Sequence, residues 1–375
     1  MTETPPGTTL GVVGGGQLGR MLAEAASPLG VDVVVLDPTP DCPAATPAAD
    51  HIEGAFDDPD AFAELSARAD VLTFEIELAD PDLLADVDVP VHPDPWTLRV
   101  TEDKLREKET LSEAGVPVPE FRRVDDASDL ERALDDLGSP LMVKARSGGY
   151  DGRGNHVVES VADAEDYFGD LDGLVAEALV DFERELSAIG ARGASEHAQF
   201  PVVENVHEEE ILRETRVPPA ASDDVVAEAR EVVNDVLGVL DGRGVYGIEL
   251  FEVDGDVLVN EIAPRPHNSG HYTIEGAVTS QFEQHVRAVL GLPLGDPSLR
   301  DPTAMVNVLG DVEETKPADL TGMAKALAVP TAALHWYGKH DVRPLRKMGH
   351  VTALGDDVAE ASERAHEARN SLSFQ

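Results

Sequence analysis

Cysteine occurs once, as Cys42, and lysine only seven times in the 375 residues. A lone cysteine excludes an internal disulfide and agrees with a reducing compartment. No apolar stretch approaches the roughly 20 residues that a membrane span needs. The opening MTETPPGTTL has neither the basic region nor the apolar core of a signal peptide, so a cytoplasmic protein without membrane contact is expected. Basic residues number 29 against 73 acidic ones. Polyanions are held by clustered Lys and Arg, so nucleic acid is not an expected partner. There is no internal repeat, no low-complexity linker and no G-K-[ST] of a Walker loop.

What the chain has in excess is negative charge: a formal net charge of −44, spread in runs such as DDPD, EDKLREKE and HEEE. Such acidity is common in disordered chains, but here the apolar segments are too regular and too frequent for that. With 42% apolar residues, the chain can bury two or three cores. A surface suited to high salt fits better, because screening contracts to about 3 Å at 1 M ionic strength and damps repulsion between carboxylates. The lysines that persist against this background are candidates for function.

The stretch TTLGVVGGGQLGRMLAEAASPLGVDVVVLDP reads as strand, glycine turn, helix and strand, with Leu18, Met21, Leu22 and Ala25 at helical spacing. ADVLTFEIE is another buried strand and VDVPVHP a further short one, giving a parallel α/β unit over residues 1–102. TEDKLREKETLSEAG is a helix. From VPVPEF to about residue 185 a small α/β subdomain holds PLMVKARSGGYDGRGNHVV, read as two strands joined by a glycine-rich loop. A long helix near residues 223–240, the hairpin VYGIELFEVDGDVLVNEIAP and the strands AMVNVLG, AALHWYGK and GHVTALG follow, then a polar helical tail.

Four features carry chemistry. Gly14, Gly16 and Gly19 have the spacing G-x-G-x-x-G, which holds an anion at a helix N-terminus or simply makes a tight turn; Asp37 suits a nucleotide ribose or a turn before Pro38. In KARSGGYDGRG, Lys144 ends a strand and Gly148, Gly149, Gly152 and Gly154 allow a loop to fold over a polyphosphate, with Arg153 adding charge; a surface hairpin is the alternative. If Asp254-Gly255-Asp256 forms a three-residue turn, Glu249 and Glu261 face each other across the hairpin, and two such carboxylates call for a cation such as Mg²⁺; an acidic surface hairpin is the plainer reading. A two-residue turn would put them on opposite faces. Directly after comes APRPHNSGHYT, in which Arg265, His267, Asn268 and His271 crowd an irregular segment, as in a reaction site or a structural loop.

The segments GGGQLGRML, FEIE, KARSGGYDGRG, NEIAPRPHNSGH and HWYGKHDVRPLRKMGH resemble, in this order and over nearly the whole chain, the 5-(carboxyamino)imidazole ribonucleotide synthases, ATP-grasp ligases of purine biosynthesis. The resemblance implies a mixed α/β and α+β fold: an N-terminal Rossmann-like domain over 1–102, an ATP-grasp domain over 103–297 with a lid at about 120–182, and a small β-rich C-terminal domain over 298–375. It implies that MgATP, with Mn²⁺ as a substitute ion, drives carboxylation of aminoimidazole ribonucleotide by bicarbonate in a homodimer. Lys104 and Lys144 would contact phosphates, Gly148, Gly149, Tyr150, Asp151, Gly152, Arg153 and Gly154 would form the lid, and Glu177 and Val180 would read adenine. Glu185 would take the ribose, with His207 and Asn260 also at the nucleotide and Glu249 and Glu261 on the metal. Arg265, His267 and Lys339 would surround bicarbonate and the reacting amine. Gln17, Leu18, Tyr150, Asp151, Arg153, Asn268, Lys339 and Arg346 would hold the ribonucleotide. Other readings are a different ATP-grasp ligase, such as a formate-dependent ribonucleotide transformylase, and, on the first motif alone, an NAD(P)-dependent oxidoreductase. The charge makes a separate prediction: the unfolding temperature should climb steeply between about 0.1 M and about 3 M KCl, and full stability in dilute buffer would contradict it.

Overall fold

The computed structural model describes residues 5–148 and 154–375. The first apolar run forms β1 (Thr9–Val13), followed by α1 (Gln17–Ala26), β2 (Asp32–Asp37), β3 (Asp50–Glu53), α2 (Pro59–Arg68) and β4 (Val71–Phe74). The four strands pair in parallel in the order β3-β2-β1-β4. Leu10, Val12, Val33 and Val35 pack with α1, whereas Val13, Val34 and Leu36 pack with α2. Both faces are covered, which is why these strands are continuously apolar. The strand expected at VDVPVHP is reduced to one bridge between Val91 and Leu72. Pro90 and Pro93 cannot donate to a ladder, so pairing goes no further.

Helices α3 (Pro81–Asp86) and α4 (Pro95–Thr101) lead to α5 (Lys104–Glu113). Asp103 caps α5 by accepting from the Leu105 and Arg106 amides, and it also pairs with Arg146. The start of α5 is thereby fixed to the end of a strand in the next unit. That unit comprises β5 (Phe121–Val124), α6 (Ala127–Leu137), β6 (Leu141–Ala145), β7 (Asn155–Val158), α7 (Val161–Phe168) and β8 (Leu174–Ala178), with antiparallel order β5-β8-β6-β7. Strands β6 and β7 are the two arms of the second glycine loop, as read from sequence.

The largest sheet has nine strands: β9 (Arg184–Arg192), β10 (His197–Gln199), β11 (Val203–Glu208), β12 (Ile211–Val217), β13 (Gly244–Val253), β14 (Asp256–Ala263), β15 (Thr303–Leu309), Lys347–Leu354 and Ala333–Trp336. Its order is β14-β13-β9-β11-β12-β15, then Lys347–Leu354 and Ala333–Trp336, with β10 against β9. Helix α8 (Asp223–Val239) covers one face, packing on Leu186, Ala188, Tyr246, Ile248 and Leu250. Alternation along β9 and β13 therefore turns Glu185, Ser187, Glu249 and Phe251 to the opposite face. Because β15 pairs with β12, one sheet runs unbroken from the hairpin to the C-terminal strands. Phe282, Val286 and Val289 of the helix Gln281–Val289 share a core with α1 and with Tyr337. This core sets the first glycine turn beside the segment after β14 and the C-terminal strands.

Candidate active site

The first glycine turn already satisfies its own amides. Gly15 N–H donates to Asp37 at 2.8 Å and Gly16 N–H to Glu75 at 2.6 Å, both carboxylates being buried. Gly14 has φ +105°, and a Cβ on Gly19 would lie 2.6 Å from the Gly14 carbonyl oxygen, so glycine is required for the turn and for close packing. The N–H groups that hold a pyrophosphate in a dinucleotide fold are thus directed at protein carboxylates, and Asp37 is a turn residue that also accepts from Thr39 N–H. This geometry removes the basis for the oxidoreductase reading. Burial raises the Glu75 carboxyl, and the Gly16 N–H and Arg265 only partly counter it, leaving it pushed up to about 7.

The β13–β14 hairpin corrects one expectation and retains its consequence. Val253 pairs with Asp256, so the turn has two residues, Asp254 at φ +53° and Gly255 at φ +90°. Such a turn alone would separate the carboxylates. A bulge shifts the register, however: Leu250 faces Val259 and Glu249 faces Glu261, leaving Asn260 as the extra residue. The bulge re-aims Asn260, whose Nδ2 donates to Glu249 at 3.3 Å and whose Oδ1 accepts from Lys144 at 3.3 Å.

Around this bulge lies a charge assembly that is buried at Lys108, Lys144, Glu107 and Glu177 and partly open at Glu249 and Glu261. Lys104 Nζ is 2.6 Å from Glu261, and Lys144 and Lys108 lie 3.0 and 3.3 Å from the two oxygens of Glu177. Burial alone would raise Glu261, but Lys104 holds it down to about 2. Glu249, with no ammonium of its own, is raised by burial and by the Glu261 charge. Glu177 is lowered because Lys144 and Lys108 outweigh its burial. Two carboxylates facing across the bulge, one of them destabilised by the other, form a donor set that fits a hard divalent cation. On the same face His207 Nδ1 is 2.7 Å from Glu185, which raises the imidazole despite its burial. Val180 lies half-buried just beyond β8.

Sequence reasoning missed Glu107 and Lys108. They follow Lys104 at i+3 and i+4, so one face of α5 carries all three into the assembly. Glu107 accepts from Ile262 N–H at 3.1 Å and Lys108 donates to the Asn260 carbonyl at 3.3 Å, gripping the backbone on both sides of Glu261. Burial, then Glu261, push Glu107 up to about 8.

The segment after β14 links this assembly to the glycine turn. His267 Nε2 lies 3.5 Å from Glu249, and Arg265 lies 2.9 Å from Glu77. A Cβ on Gly247 would sit 2.3 Å from His267 Cβ, so a glycine in β13 admits the imidazole. His267 Nδ1 faces Ser269 Oγ at 2.9 Å and accepts from Ser269 N–H at 3.4 Å, which assigns the ring proton to Nε2. Burial and then Arg265 press its pKa down to about 3, so the ring is neutral. Lys339 Nζ donates to Gln17 Oε1 at 2.8 Å and to the Lys347 carbonyl at 2.7 Å. Asn268 exchanges hydrogen bonds with Asn307 of β15. Leu18 buries its side chain in the α1 core, and Arg346 donates to the Asp341 carbonyl. Gly148 and Gly154 flank the second loop at positive φ, whereas Gly149, Tyr150, Asp151, Gly152 and Arg153 lie outside the described residues. Glu75 and Glu77 were also missed as site residues, although FEIE places them at the end of β4.

Three family models match successive parts of the chain: the ribonucleotide synthetase preATP-grasp domain at 7–102, the ATP-grasp domain at 109–282 and the phosphoribosylaminoimidazole carboxylase C-terminal domain at 303–364. The chain is 42% identical over 362 residues to the N5-carboxyaminoimidazole ribonucleotide synthase of Brucella melitensis, spanning 94% of this chain and 98% of that one. It is similar to the solved N5-carboxyaminoimidazole ribonucleotide synthetase of Thermotoga maritima, with 40% identity, a TM-score of 0.88 and coverage of 98% and 99%. It is also similar to the Aspergillus clavatus synthase solved with ADP and 5-aminoimidazole ribonucleotide, with 35% identity, a TM-score of 0.90 and 98% of each chain covered.

Glu75 supplies a pH test. Its folded pKa lies above the ordinary 4.5, so its contribution to stability is full below that value and is lost as pH rises through about 7. Glu75→Gln keeps an acceptor for Gly16 and cannot ionise. In molar salt it should melt with the wild type near about pH 5 and several degrees above it near about pH 8.5; the same offset at both would contradict the assignment.

Proposed function

We propose how the residues divide the work from one premise: the chain belongs to the N5-carboxyaminoimidazole ribonucleotide synthase family of ATP-grasp ligases. It is an ATP-dependent carbon–nitrogen ligase of purine biosynthesis that carboxylates 5-aminoimidazole ribonucleotide to the N5-carboxy product. Among the described residues no helix is long and apolar enough to cross a membrane.

In this reading a bicarbonate oxygen attacks the γ-phosphorus of ATP and ADP departs, giving carboxyphosphate. The exocyclic amine then captures carboxyphosphate or the CO₂ it releases: a C–N bond forms, phosphate leaves with the C–O bond pair and the amine loses a proton. Lys104 and Lys144 neutralise phosphate charge, and phosphoryl transfer asks for little beyond such positioning and neutralisation. Glu249 and Glu261 would hold Mg²⁺ or Mn²⁺, which supplies further charge neutralisation when bound. Glu177 and Val180 would face adenine, with Glu185 and His207 near the ribose. Arg265 and the Nε2–H of neutral His267 would orient bicarbonate. Gln17 and Leu18 at the start of α1, Asn268, Lys339 and Arg346 would grip the ribonucleotide. The second glycine loop, residues 148–154, would shield carboxyphosphate from water.

The observation that carries this reading is the position of His267. It touches Glu249 of the nucleotide assembly at 3.5 Å, while Arg265, two residues away, is joined to Glu77 beside the glycine turn at 2.9 Å. One short segment would therefore span both proposed substrate places, which supports transfer of a short-lived carboxyl species between them. We place the domain limits at 102/103 and 297/298, and propose a homodimer in a salt-rich cytoplasm on the family resemblance, the single cysteine and the −44 charge.

In molar KCl with MgATP and bicarbonate, ADP release should require 5-aminoimidazole ribonucleotide. It should fall about a hundredfold in Lys339→Ala, the equivalent of roughly 2.7 kcal/mol of transition-state binding. ADP release indifferent to the ribonucleotide would contradict the assigned acceptor.

A further inference from the structure

Lys144 cannot serve Glu177 and a nucleotide phosphate equally well. Its ammonium lies 3.0 Å from Glu177 Oε2, while Lys108 lies 3.3 Å from Oε1 of the same carboxylate. Lys108 and Glu177 are 1% and 2% exposed, so no solvent can replace a departing cation. When Lys144 turns toward phosphate, Glu177 keeps only Lys108. A buried carboxylate left with no cation is strongly disfavoured, so without Lys108 the transfer of Lys144 would be opposed.

Lys108 makes a second contact with the same logic. Its Nζ donates to the carbonyl of Asn260, the extra residue of the bulge, whose side chain touches both Lys144 and Glu249. One ammonium thus reaches the counter-ion of Lys144 and the backbone that aims Asn260 and Glu261. At 1% exposure it is sealed from any ligand and acts only through these neighbours.

We propose that Lys108 is a positioning residue for ATP: it keeps Glu177 paired while Lys144 transfers to the phosphates, and it holds the Asn260 bulge in its binding form. The proposal rests on the reading of Lys144 as a phosphate ligand. Its chemistry is an exchange of ion-pair partners, with no bond made or broken.

The test compares wild type, Lys108→Gln, Lys108→Arg and the double variant Lys108→Gln/Glu177→Gln in molar KCl, by melting temperature, equilibrium binding of MgADP, and KM for ATP and for 5-aminoimidazole ribonucleotide. Lys108→Gln should weaken MgADP binding and raise the KM for ATP about tenfold or more, with the ribonucleotide KM held within about twofold. Lys108→Arg, which restores the charge, should recover most of the loss. The double variant, free of the unpaired charge, should bind MgADP better than Lys108→Gln. A Lys108→Gln chain that melts earlier yet binds MgADP like the wild type would overturn the proposal, as would an arginine variant no better than the glutamine one. Should Lys108→Gln not fold, a folded, MgADP-binding double variant supports the pairing, and a double variant that also fails to fold overturns it. Failure of the broader reading is distinguishable, because the wild type itself would then bind no MgADP.

Discussion

The proposed nucleotide end depends on how Lys104, Lys108 and Lys144 are matched among Glu107, Glu177, Glu249 and Glu261, three ammonium groups against four carboxylates. Removing two opposite charges from water is unfavourable unless geometry and further hydrogen bonds compensate, and here each ammonium has a carboxylate within 3.3 Å. The assembly joins four parts of the chain: α5, the strand before the second glycine loop, β8 with Glu177, and the β13–β14 hairpin. Among the described residues, Glu249 has no lysine partner and is raised by burial and by the facing Glu261 charge, and that is where the proposed divalent cation would contribute. Structure and chemistry meet there, since an assembly short of one positive partner is prepared for a ligand that brings one.

The region proposed for the ribonucleotide is organised differently. Its glycine turn has the spacing of a dinucleotide motif, yet Asp37 and Glu75 occupy the amide positions from inside the protein. Side chains from distant parts of the chain gather near that turn: Gln17 from its own helix, Arg265 from the segment after β14, and Lys339 from the C-terminal region. Their meeting depends on the apolar core that α1 shares with Phe282, Val286 and Tyr337. Packing energy remote from the chemistry would thus set the distance between the two proposed substrate places.

The sequence made the local elements legible and left their partnerships hidden. Parallel strands buried on both faces show as apolar runs, and both glycine loops and the NEIAPRPHNSGH segment stand out by residue type. That the C-terminal strands extend the large sheet was not readable, because pairing over such separation leaves no local pattern. The Glu249–Glu261 pairing was reached through a three-residue turn; the chain reaches it with a two-residue turn and a bulge at Asn260, a compensation that no spacing rule reveals. Lys108 was hidden in TEDKLREKETLSE, which has the polarity of a solvent-exposed helix. Lysine scarcity was the available signal: of the seven lysines, Lys104, Lys108 and Lys144 lie in the nucleotide assembly, and Lys339 and Lys347 meet beside Gln17. In a chain this poor in lysine, five of the seven fall in those two groups, and only Lys316 and Lys325 lie elsewhere.

The central claim is that this assembly is a nucleotide and metal site in waiting, and crystals grown with MnADP test it most directly. The account predicts an anomalous manganese peak between the Glu249 and Glu261 carboxylates, with the Lys144 ammonium on phosphate and Glu177 retained by Lys108. Manganese bound away from both carboxylates, or Lys144 still on Glu177 with the phosphates elsewhere, would contradict it.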